Sequence, residues 1–234
     1  MGIADDFTAI MLTCEDRTAT RAATLQSLSD ARWPSSPEII IDDGIGETRL
    51  NRIHRTWRRV IQRAAQASTP CVLLLEDDVV FGKWFTHNLA TWPVVRTIPP
   101  GGAVFASLYN PSHPTIARRP QERYAVAHPH SVWGAQALVM TPSMARYIDT
   151  HWDTAEGNPD QRMPRLASRL APILLHLPSL VDHAATSTTW GGRKHSARDF
   201  DPEWCASDSA TRVARRAWKP DATRPPAAKL PPTL

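Results

Sequence analysis

Cysteine is scarce: Cys14, Cys71 and Cys205 are the only three in 234 residues, and they are far apart. That number and spacing argue against a disulfide framework and against a zinc site, and they suit reduced thiols in a cytoplasmic protein. No run of 18 apolar residues occurs, so no membrane-spanning helix is expected. The stretch Met1-Gly2-Ile3-Ala4-Asp5-Asp6 is acidic and short, unlike a secretory signal, and it has no Ser or Thr at position 6 for myristoylation. No internal repeat is found. Glycine is also sparse, ten in all, and none stands in Thr13-Cys14-Glu15-Asp16-Arg17, where a phosphate-cradling loop after a first strand would need it. That absence speaks against a nucleotidyltransferase built on such a loop. The net charge of +4, with a pI near 9.2, permits an anionic ligand without requiring nucleic acid.

What is present is a chain with 42% apolar and 21% charged residues, enough to fold around a core. The reading centres on Leu73-Leu74-Leu75-Glu76-Asp77-Asp78-Val79-Val80-Phe81. Cys71 to Leu75 reads as a buried strand. Three adjacent carboxylates do not sit in a buried strand unless paired or bound to metal. The strand is therefore expected to emerge at the carboxyl edge of a sheet, where α/β proteins place their ligand crevice. Oxygen ligands there suit Mg²⁺ or Mn²⁺ shared with substrate phosphates; the bland alternative is an acidic turn.

Around it, Phe7–Thr13 and Glu38–Ile41 read as strands, and Thr18–Asp30 and a basic stretch over 47–67 as helices. The order β-α-β-α-β predicts a mostly parallel sheet with helices on both faces. Further on, strands are expected over 103–108, 132–140 and 173–177, and helices over 84–91, 143–151 and 160–170. Tyr109 to His130 reads as a loop with one hairpin strand at Tyr124–Ala127. From about residue 206 the chain is a basic, Pro-rich tail, expected to be partly helical and then disordered. One catalytic domain over about 1–200 is expected, with a nucleotide- and metal-binding half (1–100) and an acceptor half (101–200).

Alternation in an extended segment points Glu76 and Asp78 one way and Asp77 the other. Asp42-Asp43, ending the second strand, can accept from a base N–H or a sugar hydroxyl, or form only an acidic turn closed by Gly44. His183, in Pro178-Ser179-Leu180-Val181-Asp182-His183, can give an imidazole nitrogen to a metal held by Asp78, or be an ordinary surface or core histidine.

Taken in order, IIIDDG (39–44), LLLEDDVVF (73–81), WGAQALVMTPSMARYI (133–148) and LPSLVDHAATSTTWGG (177–192) resemble nucleotide-sugar glycosyltransferases of the GT-A fold, nearest in character to the lipopolysaccharide-type galactosyltransferases of family 25. The likeness covers roughly residues 7 to 192. It implies a GT-A-like, Rossmann-type sheet and a DxD-type motif at Glu76-Asp77-Asp78. Asp78 and His183 would hold Mn²⁺ or Mg²⁺, with Asp77 or Glu76 at the donor ribose or the metal's waters. Thr13, Glu15, Arg17 and Asp43 would grip the nucleotide of a nucleotide-diphosphate sugar, a UDP-sugar in the first instance, and Gly134-Ala135 would line the sugar pocket. The acceptor would be a glycan, a small molecule or a polymer. An inverting member needs a carboxylate base, for which Asp160 is the candidate and Glu156 the reserve; the first helical turn also favours an acid there for its dipole. Thr189 to His195 reads either as a glycine-hinged lid or as the start of the tail. Trp84, Trp133, Trp152 and Trp190 are sugar-stacking candidates or plain packing residues.

The competing reading is a protein that binds nucleic acid or another polyanion through the arginines of helix 49–63 and the basic tail. The two readings meet in a transferase whose acceptor is a modified nucleic-acid base.

Overall fold

The computed structural model describes residues 3–45, 48–184 and 195–206. The elements, in chain order, are α1 (Ile3–Asp6), β1 (Phe7–Cys14), α2 (Thr18–Asp30), β2 (Glu38–Asp42), α3 (Arg49–Ala65), β3 (Cys71–Glu76), β4 (Val79–Phe81), α4 (Phe85–Ala90), α5 (Pro93–Arg96), β5 (Phe105–Ser107), β6 (Thr115–Arg119), β7 (Tyr124–Ala127), β8 (Ala137–Met140), α6 (Pro142–Thr150), α7 (Pro159–Ala167), β9 (Ile173–His176) and β10 (Val181–His183). Eight strands form one sheet in the order β2-β1-β3-β8-β5-β9-β7-β6, and β10 pairs with β4 in a second, two-stranded ladder. The ladders β1–β2, β1–β3 and β5–β9 are parallel, whereas β8 and β7 run against their neighbours. Six of the eight strands thus point the same way, which makes the sheet mostly parallel in direction though mixed in its pairing.

Both faces are covered. On β3, Leu73 and Leu75 face a core shared with Leu28 of α2, Phe85 and Leu89, while Val72 and Leu74 face Trp57, Val60 and Ile61 of α3 and Met144 and Ile148 of α6. Residues 72–75 are wholly inaccessible. A strand buried on two faces needs apolar residues at every position, which is why this stretch reads as an unbroken aliphatic run. α3 begins where the Thr48 side chain accepts a hydrogen bond from Asn51 N, a capping contact that replaces a missing intrahelical partner.

Several boundaries depart from the sequence reading. The segment over 109–130 holds a two-stranded hairpin, with Arg119 paired to Tyr124. β6 was hidden because it is an edge strand whose residues are half-buried or exposed. Residues 132–136 are not strand; β8 starts at Ala137. The last helix ends at Ala167, not Leu170. Most of the lid candidate and the tail beyond Ala206 lie outside the described residues.

At the end of β9, His176 is completely buried, with its Nδ1 2.6 Å from the Pro178 carbonyl oxygen and its ring edge-on to Trp92. Burial pushes its pKa down to about 3. An unfolded histidine titrates near 6.5. Between these values the unfolded chain binds the extra proton, so stability is full above pH 6.5 and falls as pH drops toward 3. His176 alone contributes a slope of about 1.4 kcal/mol per pH unit across that window. Urea unfolding at pH 7.5, 6 and 5 should show this slope, and His176→Phe should flatten it by about one proton.

Candidate active site

The register of the first three strands builds the site. Cys14 pairs with Asp42 and Leu12 with Glu76, so the carboxyl ends of β2, β1 and β3 finish side by side. β8 enters antiparallel on the far side of β3, and Glu76 N donates to the Gln136 carbonyl (3.0 Å), which brings the Trp133–Gln136 approach against the acids. In the small ladder His183 pairs with Val79, which sets its imidazole beside Asp78, and Ala184 N donates to the Asp78 carbonyl (2.7 Å). These ends enclose a cavity of about 340 Å³, within the range of small-ligand pockets.

Its acidic side is tightly wired. Thr13 Oγ1, itself buried, donates to Asp77 Oδ2 (2.5 Å). Arg17 spans both aspartates, with Nε 2.9 Å from Asp77 Oδ1 and Nη2 2.8 Å from Asp78 Oδ2. Thr24 Oγ1 donates to the Asp77 carbonyl (2.6 Å) and accepts from Val79 N (3.1 Å), locking the turn between β3 and β4. His183 Nε2 lies 3.2 Å from Asp78 Oδ2. Burial works to raise the Asp78 pKa, yet His183 and Arg17 outweigh it and hold the carboxyl below its usual range. Asp77 goes the other way: burial raises it, and Thr13 and Arg17 only partly oppose. Glu76 is pushed well up, first by burial and then by the charges of Asp78, Asp160 and Asp77. The three consecutive acids therefore hold their protons unequally, with Asp78 the readiest to carry charge.

Across the cavity, Asp160 in the first turn of α7 accepts from Gly134 N (2.9 Å) through Oδ2. Gly134 has φ +83°, a left-handed conformation that favours glycine. Thr13, Arg17, Glu76, Asp77, Asp78, Gly134, Ala135, Asp160 and His183 all line the one cavity.

Three candidates are not brought in, and one of them, the reserve base Glu156, is exposed and does not line the cavity. Glu15 is exposed in a short 3₁₀ turn, on a shallow neighbouring depression. Asp43 points away from the cavity to Arg55 (2.6 Å) and Arg59 (3.2 Å). The pleat explains it: Asp42 ends β2 in register with Cys14, so it is Asp42 that lines the cavity, held by Arg52 (3.1 Å) and Thr56 (3.4 Å). Sequence reading also passed over Tyr109 and Gln136. Gln136 was visible inside the quoted WGAQ segment, whereas Tyr109 follows a strand with no pattern to single it out. Trp133 lines the cavity, ring to ring with His113 and His195 (5.4 and 4.5 Å), while Trp152 is buried in the core.

The arginines of α3 are largely spent within the molecule. Arg52 pairs with Asp42, Arg55 and Arg59 with Asp43, Arg58 with Asp149 and Asp153, and Arg63 with Glu38. These pairs offset part of the cationic charge on which the polyanion reading rests.

A divalent cation can be tested against these residues. Asp78 Oδ1 is buried with no hydrogen-bond partner among the described residues, and the other oxygen of that carboxylate is beside an imidazole nitrogen. A carboxylate oxygen with an imidazole is a donor set that Mn²⁺ or Mg²⁺ accepts, the remaining ligands being water and phosphate. No group of three or more His, Cys, Asp or Glu surrounds a common point among the described residues. The residues thus fit a cation held by two protein ligands, not a complete protein cage.

No family model matches the chain, and no curated protein matches it in sequence. Among solved structures, it is similar to a glycosyltransferase involved in the glycosylation of the major capsid of PBCV-1, at 13% identity, a TM-score of 0.44 and coverage of 77% of this chain and 94% of that one. It is also similar to the galactosyltransferase LgtC in complex with donor and acceptor sugar analogues, at 11% identity, a TM-score of 0.41 and coverage of 92% and 98%. No helix among the described residues is long and apolar enough to cross a membrane.

Proposed function

We propose that the cavity binds a nucleotide-diphosphate sugar, with UDP as the favoured nucleotide, and that the protein transfers the sugar to a hydroxyl of a glycan, small-molecule or polymer acceptor. What carries the proposal is the convergence of a graded acid triplet, a bridging arginine, an imidazole and a separate carboxylate on one cavity at the strand ends. That arrangement suits a reaction in which a polyanionic leaving group departs on one side while a proton is removed on the other.

In this reading Asp78 and His183 would hold Mn²⁺ or Mg²⁺, with Asp77 reaching its water ligands. Bound there, the cation would neutralise charge on the departing diphosphate. Arg17 stands close enough to add a fixed positive charge, and Thr13 holds Asp77 in place. Asp160 is the base. Its Oδ2 is fixed by Gly134 N–H, leaving Oδ1 to take the acceptor proton. The acceptor oxygen then forms its bond to the anomeric carbon as the bond to the phosphate oxygen breaks. The electron pair leaves with the nucleoside diphosphate, and the anomeric configuration inverts.

The test is a melting-temperature panel of UDP, GDP, ADP and CMP and their sugar conjugates, with and without Mn²⁺. A ligand at 100 times its Kd stabilises by about 2.7 kcal/mol, which for a chain of this size corresponds to a rise of roughly 5–10 °C. A rise for one nucleotide that depends on Mn²⁺ supports the proposal. No rise with any of them, in folded protein, defeats it.

A further inference from the structure

Two buried polar groups in the cavity wall have no partner among the described residues and take no part in the chemistry above: the Tyr109 hydroxyl and Gln136 Oε1. Both side chains line the same cavity, and Tyr109 is only 1% exposed. A buried polar atom without a partner is costly, and native structures rarely keep one unless something else satisfies it.

Both are held in position. Ser107 Oγ donates to the Tyr109 carbonyl (2.7 Å) and accepts from Tyr109 N (3.2 Å), which pins the backbone that carries the ring. Gln136 donates through Nε2 to Glu76 Oε2 (3.1 Å) while its carbonyl accepts from Glu76 N. With Nε2 committed, Oε1 is the free end, and it can only accept. The phenol is pushed above its ordinary pKa by burial and by nearby carboxylates, so it keeps its proton and can donate. Between the two lies Gly134: a Cβ there would meet Gln136 Oε1 at 2.6 Å and the Tyr109 ring at 3.4 Å. The missing side chain lets both groups pack against the Gly134 backbone, which puts one donor and one acceptor side by side on the cavity wall.

We propose that Tyr109 and Gln136, on either side of Gly134, clamp one hydroxyl of the transferred sugar and so set which sugar the protein accepts. A hydroxyl accepts from a phenol and donates to an amide oxygen at the same time, taking the place of a water that could bridge them in the free protein; a metal or a phosphate oxygen cannot satisfy both. The clamp stands on the same wall as Asp160, whose Oδ2 holds Gly134 N, so the sugar it fixes lies beside the proposed base. This inference rests on the donor reading above and adds the determinant of sugar identity.

The test is calorimetric titration of wild type, Tyr109→Phe and Gln136→Met with UDP, UDP-galactose, UDP-glucose and UDP-N-acetylglucosamine in the presence of Mn²⁺. Each variant should bind the preferred sugar nucleotide about 10-fold more weakly and should flatten the preference between the galactose and glucose epimers, and Tyr109→Phe, which keeps the Gln136–Glu76 contact, should leave UDP affinity unchanged. Because its hydroxyl has no partner among the described residues, Tyr109→Phe should keep the wild-type melting temperature or exceed it. Equal weakening of UDP and UDP-sugar, unchanged affinity for both, or a lower melting temperature in Tyr109→Phe would overturn the clamp while leaving the donor reading standing. Failure of wild type to bind any of the four would defeat the donor reading, and the clamp with it.

Discussion

Asp78→Ala is expected to lose sugar transfer by a factor on the order of 10³ in kcat/KM, because several kcal/mol of charge stabilisation at the leaving group go with it and each 1.36 kcal/mol is tenfold. The chain should stay folded. Arg17 keeps its contact with Asp77, so removal of Asp78 does not leave that guanidinium unpaired. The same variant should abolish the part of the nucleotide-induced melting shift that depends on Mn²⁺ and leave the metal-independent part. The measurement is initial rate against Mn²⁺ concentration, beside a melting curve. An Asp78→Ala protein that still responds to Mn²⁺ with wild-type activity would remove Asp78 from the site.

Asp160→Asn should be the second large effect, and it should fall on kcat. General-base catalysis contributes typically about 10²–10⁴-fold. Asparagine keeps a carbonyl oxygen that can accept from Gly134 N, so the local geometry survives while the proton acceptor is lost. Nucleotide affinity and melting temperature should change little. The competing role for Asp160 is a first-turn acid that stabilises α7 through the helix dipole, worth about 0.3–1 kcal/mol. Single-turnover kinetics at saturating donor separates the two. A variant that is slightly less stable but catalytically normal assigns Asp160 to the helix, and transfers the search for a base to the other carboxylates that line the cavity.

How far the sequence reaches depends on what each feature is made of. β3 and the acids after it were legible because burial on two faces demands an uninterrupted aliphatic run, and an abrupt change to carboxylates can only mean that the run has reached an edge. α2 matched its expected span, Thr18–Asp30. β4 and β10 escaped notice because each has three residues, too few for a periodic signal, and each is defined by the other across the chain. The structure sets Asp42, not the expected Asp43, in the cavity wall, a difference of a single residue. Both are acids at a strand end, and only the register with β1 says which faces inward. Tyr109 and Gln136 carry no motif; what marks them is an unsatisfied atom, a property of packing that composition does not encode.

The strand order has a consequence for synthesis. β9 is the last strand of the large sheet to be made, yet it lies in the interior, between β5 and β7. The β6–β7 hairpin joins the sheet only through β9, so it has no seat until His176 has been added. From Ala127 to His176 is 176 − 127 = 49 residues, roughly 2–10 s of elongation at about 5–20 residues per second. For that interval the nascent chain carries an open hairpin edge on one side and an unfilled slot beside β5 on the other. Two complementary surfaces that must wait for each other are where a neighbouring nascent chain can intrude, and the exposed Arg118 and Arg119 on β6 supply the like charge that keeps such edges apart.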